Sequence, residues 1–143
     1  MLTLDDVRSS YGRTEALHGI SLTAKRGEIT TLIGANGSGK TTTMHAVMGV
    51  VRLGAGSIEW NGKRLDSLET KEIVRSGIAL IPEGRHIFPD MTVAENLEMG
   101  AYIRTDAKKQ RADMEGVLHL FPKLRERLYQ TAGTLSGGEQ QML

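Results

Sequence analysis

The sequence predicts an α/β fold in which a β-rich first half carries one longer helix and one short helix, and the second half is mostly helical. Two observations predict it. Short segments that are alternating or wholly apolar, as strands are, are concentrated before Pro82. Beyond that proline, apolar residues recur mainly at the spacing of helices. This order indicates an α/β core that carries a helical insertion.

The first predicted strands are of two kinds. Leu2–Leu4 and Ile20–Ala24 alternate apolar and polar residues, which is typical of half-buried strands. Lys25–Gly27 follows as a turn. Ile29–Ile33 is a continuous β-branched and apolar run that ends at Gly34, and it predicts a strand buried on both faces, as in a parallel sheet.

A helix and a hairpin follow this run. From Thr41 onward the apolar residues recur at i, i+3, i+4 and i+7, namely Met44, Val47, Met48 and Val51. Gly49 or Gly54 can end this helix. Trp60–Lys63 then predicts a two-residue hairpin turn, which places Glu59 opposite Arg64 and Ile58 opposite Leu65.

The next elements are a short helix over Thr70–Arg75 that stops at Gly77 and a buried strand over Ile78–Ile81 that Pro82 ends. Thr92 and Glu95 have the spacing of a capping box and predict a helix start. A longer helix is expected from about Asp106 to Pro122. Its apolar stripe is Met114, Val117, Leu118 and Phe121.

Composition excludes several classes of protein. Of the 143 residues, 39% are apolar and 24% are charged, and the formal net charge is +1. This balance gives no electrostatic case for a nucleic-acid partner. The absence of cysteine excludes disulfides and thiolate metal sites. No apolar run approaches the roughly 20 residues of a membrane span, and the N-terminus does not have the pattern of a secretory signal. We therefore expect a cytoplasmic domain.

Gly34–Thr41, with the letters GANGSGKT, match the phosphate-loop pattern G-x-x-x-x-G-K-[ST]. Glycines let the backbone wrap closely and turn successive N–H groups inward, and the helix start adds partial positive charge. Lys40 would neutralise the β and γ phosphates, and Thr41 would offer its hydroxyl to Mg²⁺. The pattern alone predicts a nucleoside triphosphate site and fits kinases, GTPases, helicases and transporters alike.

A second glycine-rich helix start lies about a hundred residues later, in LSGGEQQ at Leu135–Gln141. Ser136 can cap the helix, and its hydroxyl and the N–H groups of Gly137 and Gly138 would face outward. One nucleotide does not need two such anion sites far apart in sequence. One explanation is that the second serves a nucleotide held by another subunit.

The two motifs together resemble those of the ATP-binding subunits of ABC transporters. The resemblance implies a P-loop NTPase fold with an antiparallel β part, a core at residues 1–91 and a helical subdomain at 92–143. It also implies a head-to-tail dimer in which each ATP lies between the phosphate loop of one subunit and the LSGGEQQ segment of the other. The helical stripe at 114–121 is then ordinary core.

The resemblance also implies the residues of the site and its cofactors, ATP and Mg²⁺. Tyr11 takes the place of an aromatic that stacks on adenine. Glu83 takes the place of a glutamine that touches Mg²⁺ and the attacking water, and its carboxylate suits a hard cation. The implied nucleotide-binding residues are Tyr11, Gly34, Ala35, Asn36, Gly37, Ser38, Gly39, Lys40, Thr41, Thr42, Ser136, Gly137 and Gly138. Lys40 and Glu83 are the implied catalytic residues, and Thr41 and Glu83 the implied metal ligands.

The segment Ile81–Tyr102 is similar to the ATPases of branched-chain amino acid importers. This resemblance implies an ATPase peripheral to the inner face of the cell membrane, with integral permease subunits as partners and a periplasmic binding protein as an indirect one. Arg85, His86 and Phe88 lie where the family docks its membrane subunits. In the family, a Walker B strand and a catalytic Glu follow the LSGGEQQ helix. We therefore expect a truncated domain with an unpaired apolar sheet edge and poor hydrolysis on its own.

Three other interpretations stay open. The ATPase of a urea or short-amide importer would have nearly the same sequence. A non-transport ABC ATPase of DNA repair, chromosome structure or translation would need a coiled-coil insertion, a basic surface or paired cassettes, which disfavours it here. A partner-binding remnant that competes for the permease would bind membrane subunits without binding nucleotide.

Overall fold

The computed structural model describes all 143 residues and divides into two compact units, the N-terminal unit Met1–Leu80 and the C-terminal unit Ile81–Leu143. Each unit has its own cluster of buried apolar side chains. None of the helices is long and apolar enough to cross a membrane.

The N-terminal unit contains a four-stranded antiparallel sheet. Its strands are β1 (Leu2–Tyr11), β2 (Thr14–Ala24), β3 (Leu53–Trp60) and β4 (Lys63–Arg64), in the order β2-β1-β3-β4. The two alternating segments are therefore strands, as predicted. Both are longer than predicted, because β1 and β2 continue to a tight connection between Tyr11 and Thr14.

The predicted hairpin between β3 and β4 is confirmed residue by residue. Glu59 pairs with Arg64, and the Leu65 N–H donates to the Ile58 carbonyl at 2.8 Å. Asn61 and Gly62 have φ of 51° and 80°. Positive φ at both central residues is what a two-residue turn needs to match the twist of its strands.

Two helices cover the sheet, α1 (Lys40–Val47) and α2 (Thr70–Arg75). The bounds of α2 are those predicted. Helix α1 ends before Gly49, which has φ of 68°, so the Gly54 alternative for its end is wrong. Met44 was expected to face the core but is 38% exposed. The core consists of Leu4, Val7, Leu17, Ala46, Val47, Met48, Ile58, Leu65 and Ile73.

Two predicted strands are absent. Ile29–Ile33 and Ile78–Ile81 form no strand, and Ile29, Ile33 and Ile81 are 97%, 88% and 80% exposed. A strand buried on both faces needs hydrogen-bonded neighbours and cover from other elements. No segment of the chain pairs with either run. The prediction of a parallel sheet around the phosphate loop is therefore wrong for these residues.

The C-terminal unit is helical. It comprises α3 (Val93–Gly100), α4 (Ala107–Leu120), α5 (Pro122–Arg125), a 3-10 turn at Ala132–Thr134 and α6 (Gly137–Met142). Val93, Leu118, Leu124 and Leu135 form its core. The capping box of Thr92 and Glu95 is confirmed at α3, and the Asp106 side chain caps α4. Pro122 starts α5, so α4 ends where predicted.

Candidate nucleotide-binding site

The phosphate loop Gly34–Thr41 leads into the start of α1. Gly39 is the N-cap residue, and no side chain caps the helix. The first hydrogen bond of the helix joins the Thr43 N–H to the Gly39 carbonyl at 2.8 Å, and no group of the chain accepts from the N–H of Lys40, Thr41 or Thr42. Three donors at the positive end of the helix dipole are therefore open to a ligand.

The ammonium of Lys40 lies within this loop. Its Nζ donates to the carbonyl oxygens of Gly34 and Ala35, both at 2.8 Å. These two bonds hold the beginning of the loop close to the helix that follows it. They also keep a cation within the loop, and a phosphate oxygen is bound by a positive charge of this kind.

Gly39 fixes the loop on strand β2 and admits no other residue. Its φ is 89°, and a Cβ there would lie 2.8 Å from Leu17 Cδ2 and 2.9 Å from the Ala16 carbonyl oxygen. The buried Thr43 hydroxyl donates to the Gly39 carbonyl at 2.8 Å and secures it from the helix side. The glycine pattern thus has a packing reason as well as a conformational one.

Tyr11 lies at the end of β1 and is 53% exposed. Its partner across the hairpin is Thr14. Thr14 is two residues from Ala16, which is about 7 Å along an extended strand. Since Ala16 contacts the position of Gly39, the exposed aromatic ring belongs to the same end of the hairpin as the phosphate loop.

The two predicted metal ligands lie in different units. Thr41 is exposed in the first turn of α1, and Glu83 is exposed in a turn, where it makes no hydrogen bond or ion pair. No three His, Asp or Glu side chains cluster as a metal site. Mg²⁺ bound with a nucleotide commonly takes only one or two protein oxygens beside phosphate and water. The Thr41 hydroxyl and the Glu83 carboxylate each provide an oxygen of the kind that Mg²⁺ binds.

The LSGGEQQ segment starts helix α6 with Ser136 as its N-cap. Ser136 Oγ accepts from the Glu139 N–H at 3.4 Å, and Glu139 Oε2 accepts from the Ser136 N–H at 2.9 Å. The hydroxyl and N–H of Ser136 lower the pKa of Glu139 because they stabilise its carboxylate, and nearby Arg127 adds to this. The N–H groups of Gly137 and Gly138 have no acceptor in the chain.

Sequence reasoning missed two members of this arrangement. Glu139 completes a capping box, and the S-x-x-E spacing that identified Thr92 and Glu95 would have found it. Arg127 Nε lies 3.0 Å from Glu139 Oε1 and forms an ion pair with that carboxylate. No local pattern indicates Arg127, because twelve positions separate the two residues in the sequence.

The glycine loop, its lysine and the helix that it starts define the class of P-loop nucleotide-binding proteins. The sequence profile of the ABC transporter family matches residues 17–143. The chain therefore belongs to the ABC transporter family.

Two curated relatives are similar over the whole chain. The "High-affinity branched-chain amino acid transport ATP-binding protein BraG" of Pseudomonas aeruginosa is 49% identical over 143 residues, which cover 100% of this chain and 61% of BraG. The "Probable branched-chain amino acid transport ATP-binding protein LivF" of Archaeoglobus fulgidus is 34% identical, over 100% of this chain and 60% of LivF. The chain thus spans about three-fifths of the length of these relatives.

Solved structures agree with the fold. A structure described as the ATP binding subunit of an ABC transporter superposes with a TM-score of 0.83 at 28% identity, covering 99% of this chain and 58% of that one. A dimeric structure of a bacterial ABC transporter cassette gives 0.81 at 22% identity, over 99% of this chain and 66% of that one. The second likeness shows the fold alone. Together they confirm the α/β cassette with an antiparallel β part and a helical part.

Proposed function

We propose that this chain provides ATP binding to an importer of branched-chain or related amino acids, as part of a subunit that hydrolyses ATP. The observation that carries the proposal is the loop at Gly34–Thr41, which holds the Lys40 ammonium and starts a helix with three N–H groups without acceptors. The relatives BraG and LivF support the transport class by their names. We also propose the functional division into a core at residues 1–91 and a helical subdomain at 92–143.

In the proposed site, the loop residues Gly34–Gly39 and Thr42 surround the phosphates with backbone N–H groups. Lys40 leaves the Gly34 and Ala35 carbonyls to neutralise the β and γ phosphates. Tyr11 stacks on the adenine from the end of the hairpin. Thr41 and Glu83 would each offer an oxygen ligand to Mg²⁺, and the ion would supply positive charge that stabilises the transferring phosphoryl group.

The second part of the proposal concerns a second subunit. Ser136, Gly137 and Gly138 offer a hydroxyl and two N–H groups without acceptors, and the N-terminal unit has its own phosphate site. Head-to-tail pairing would bring this segment of one subunit to the γ-phosphate on the other. Pairing then depends on ATP, because the γ-phosphate is the group that both subunits touch. The pair would lie at the inner face of the membrane, and the integral membrane subunits would follow its closing and reopening.

Lys40→Ala tests the nucleotide site. Hydrogen bonds to charged groups contribute about 1.5–3 kcal/mol, so affinity should fall about 10- to 100-fold. The measurement is titration of the 143-residue chain with a fluorescent ATP analogue in the presence of Mg²⁺, followed by displacement with ATP. Lys25→Ala is the matched control, since Lys25 is an exposed lysine of the same unit. Equal affinities for Lys40→Ala and the unaltered chain would reject the site.

Site-specific cross-linking tests the head-to-tail pair. Because the chain contains no cysteine, the introduced cysteines are its only thiols. One preparation carries Asn36→Cys and the other Gln141→Cys, and they are mixed before oxidation. We expect MgATP to raise the yield of the mixed disulfide at least several-fold over ADP. Adding Lys40→Ala to both chains should remove that increase. A yield that does not respond to ATP would contradict the proposed pairing.

Deleting the gene that encodes this chain tests the substrate. We expect uptake of labelled leucine by the cells to fall while uptake of labelled urea stays unchanged. The reverse result would favour a urea or short-amide importer. Loss of neither would reject the import function.

A further inference from the structure

The loop that contains Glu83 is joined to helix α6 by one side chain. We call Pro82–Phe88 the Glu83 loop. Within the C-terminal unit, Arg85 Nη1 donates to Gln140 Oε1 at 3.1 Å, across 55 positions of sequence. A Cβ on Gly137 would lie 2.8 Å from Arg85 Nη2 and 3.2 Å from Arg85 Cζ. The guanidinium therefore occupies the space that the missing side chain of Gly137 leaves.

The Gln140 amide is held in the orientation that this contact needs. Its Nε2 donates to the carbonyl oxygens of Ala132 and Gly133, both at 3.3 Å. Because Nε2 is hydrogen-bonded to the 3-10 turn, Oε1 faces the Arg85 guanidinium. Helix α6 is thus fixed to the turn before it on one side and to the Glu83 loop on the other.

The backbone of the Glu83 loop is unusual at the same place. Gly84, Arg85 and His86 have φ of 86°, 69° and 45°, and the His86 N–H donates to the Gly84 carbonyl at 2.8 Å. Residues with side chains rarely adopt this left-handed region. Such backbone persists where surrounding contacts hold it. For Arg85, these contacts are its bond to Gln140 and its packing on Gly137.

We propose that Arg85 is a positioning residue that ties helix α6 to the Glu83 loop, so that a change in the loop reaches Ser136–Gly138. The contact itself follows from the distances between Arg85, Gln140 and Gly137. Its consequence, that the Glu83 loop sets how α6 meets the γ-phosphate of a second subunit, rests on the proposed function.

Amide hydrogen exchange at Glu139 and Gln140, followed by NMR on the full 143-residue chain, reports on the contact between Arg85 and α6. Both amides donate to Ser136 at the start of α6. Arg85→Ala should speed their exchange about 2- to 5-fold, the effect of losing an exposed hydrogen bond. Arg104→Ala is the matched control, because it breaks an exposed ion pair with Asp113 in the same unit. It should leave these amides unchanged.

A double-mutant cycle with Gly84→Ala separates coupling from a merely structural role. The alanine strains the loop at φ of 86° but meets no close neighbour, since the nearest atom to its Cβ would be His86 Nε2 at 3.4 Å. Gly84→Ala alone should also speed exchange at Glu139 and Gln140. In the Arg85→Ala background it should add nothing, because the connection is already broken.

Three results would overturn the proposal: unchanged exchange in Arg85→Ala, no effect of Gly84→Ala alone, or effects of the two substitutions that multiply. Exchange at Leu118 and Leu124 reports whether the core of the unit stays folded. If Arg85→Ala unfolds the core of the unit, Arg85→Lys replaces Arg85→Ala in the cycle, since lysine keeps the charge but lacks the guanidinium group. Nucleotide titration of the unaltered chain is read separately, so failure of the ATP site and failure of this contact give different results.

Discussion

The phosphate loop and the start of helix α6 both place glycines at a helix N-terminus, yet they treat the first-turn N–H groups differently. At α1 no side chain caps the helix, three N–H groups have no acceptor, and the loop holds a lysine ammonium. At α6 Ser136 and Glu139 cap each other, and the carboxylate already accepts from the Ser136 N–H. The first arrangement is open to an anion. The second supplies a negative group of its own.

The different N–H groups and charges of the two segments indicate how both would contact one nucleotide. The phosphate loop offers net positive charge and can bind phosphates within one chain. At α6 an arriving γ-phosphate would meet the Glu139 carboxylate, so binding there alone should be weak. It becomes favourable when the nucleotide is already held elsewhere and only the last phosphate has to be contacted. In the proposed pair, the capping box would therefore make binding at α6 depend on a nucleotide that the other subunit already holds.

Substituting one glycine in each segment tests whether the glycines have different structural roles, and Gly39→Ala should cause the larger change. Gly39→Ala would force a side chain into φ of 89° and against Leu17 and Ala16. Left-handed strain and overpacking cost about 1–3 kcal/mol each, so the free energy of unfolding should fall by about 2–5 kcal/mol. Binding of the ATP analogue should be lost with it. Urea denaturation followed by circular dichroism measures the first effect, and the titration the second.

Gly138→Ala is the matched substitution in α6. No atom lies within 4 Å of a Cβ at Gly138, which is helical. Alanine is favoured over glycine in helices by about 0.5–1 kcal/mol, so the free energy of unfolding should stay equal or rise slightly. Equal losses for Gly39→Ala and Gly138→Ala would show that the two glycine segments are not built differently.

The sequence predicts those structural features that interactions between near neighbours in the chain produce. The Trp60–Lys63 hairpin and the Thr92 capping box were predicted correctly, because turn chemistry and capping act within a few residues. Ile29–Ile33 and Ile78–Ile81 were wrongly predicted as buried strands. An apolar β-branched run shows that a segment can be buried, but burial itself requires partner strands, and these two runs have none here.

The candidate site divides in the same way. The pattern of the phosphate loop predicted the glycine turn, the start of α1 and the place of Lys40, since all lie within eight consecutive residues. The contacts of Arg85 with Gln140 and of Arg127 with Glu139 join residues far apart in the sequence. The sequence of one chain contains no local pattern for such pairs. They follow only from the packing of the C-terminal unit.

A smaller effect is expected at the caps, where α6 is compared with α3. Ser136→Ala and Thr92→Ala each remove the hydroxyl of a capping box. Loss of a cap costs about 0.5–2 kcal/mol. Helix α3 is the longer helix and carries the buried Val93, so Thr92→Ala should lower the free energy of unfolding of the C-terminal unit. Ser136→Ala should mainly loosen α6, seen as faster exchange at Gln140. If Ser136→Ala lowered the free energy of unfolding more than Thr92→Ala, the cap of α6 would be the structural one.

The smallest effect is a pH dependence that only the second segment should show. The pKa of Glu139 lies below its usual value because the Ser136 hydroxyl and N–H stabilise the carboxylate. A carboxyl group with a lowered pKa stabilises the folded state fully above the unfolded value of 4.5, and this contribution is lost as pH falls through the folded pKa. The phosphate loop contains no carboxylate. Its amides should therefore not respond directly in that range.

NMR titration of the Ser136 amide from neutral pH into the acid range checks this dependence. Its chemical shift should change with a midpoint below 4.5, because the Glu139 carboxylate that accepts from it is being protonated. Glu139→Gln removes the titrating group and keeps its size, so the change should disappear in that variant. The amides of Gly37 and Gly39 serve as the internal reference. A Ser136 midpoint at or above 4.5, or a change that survives in Glu139→Gln, would mean that the carboxylate does not occupy the start of α6 in solution.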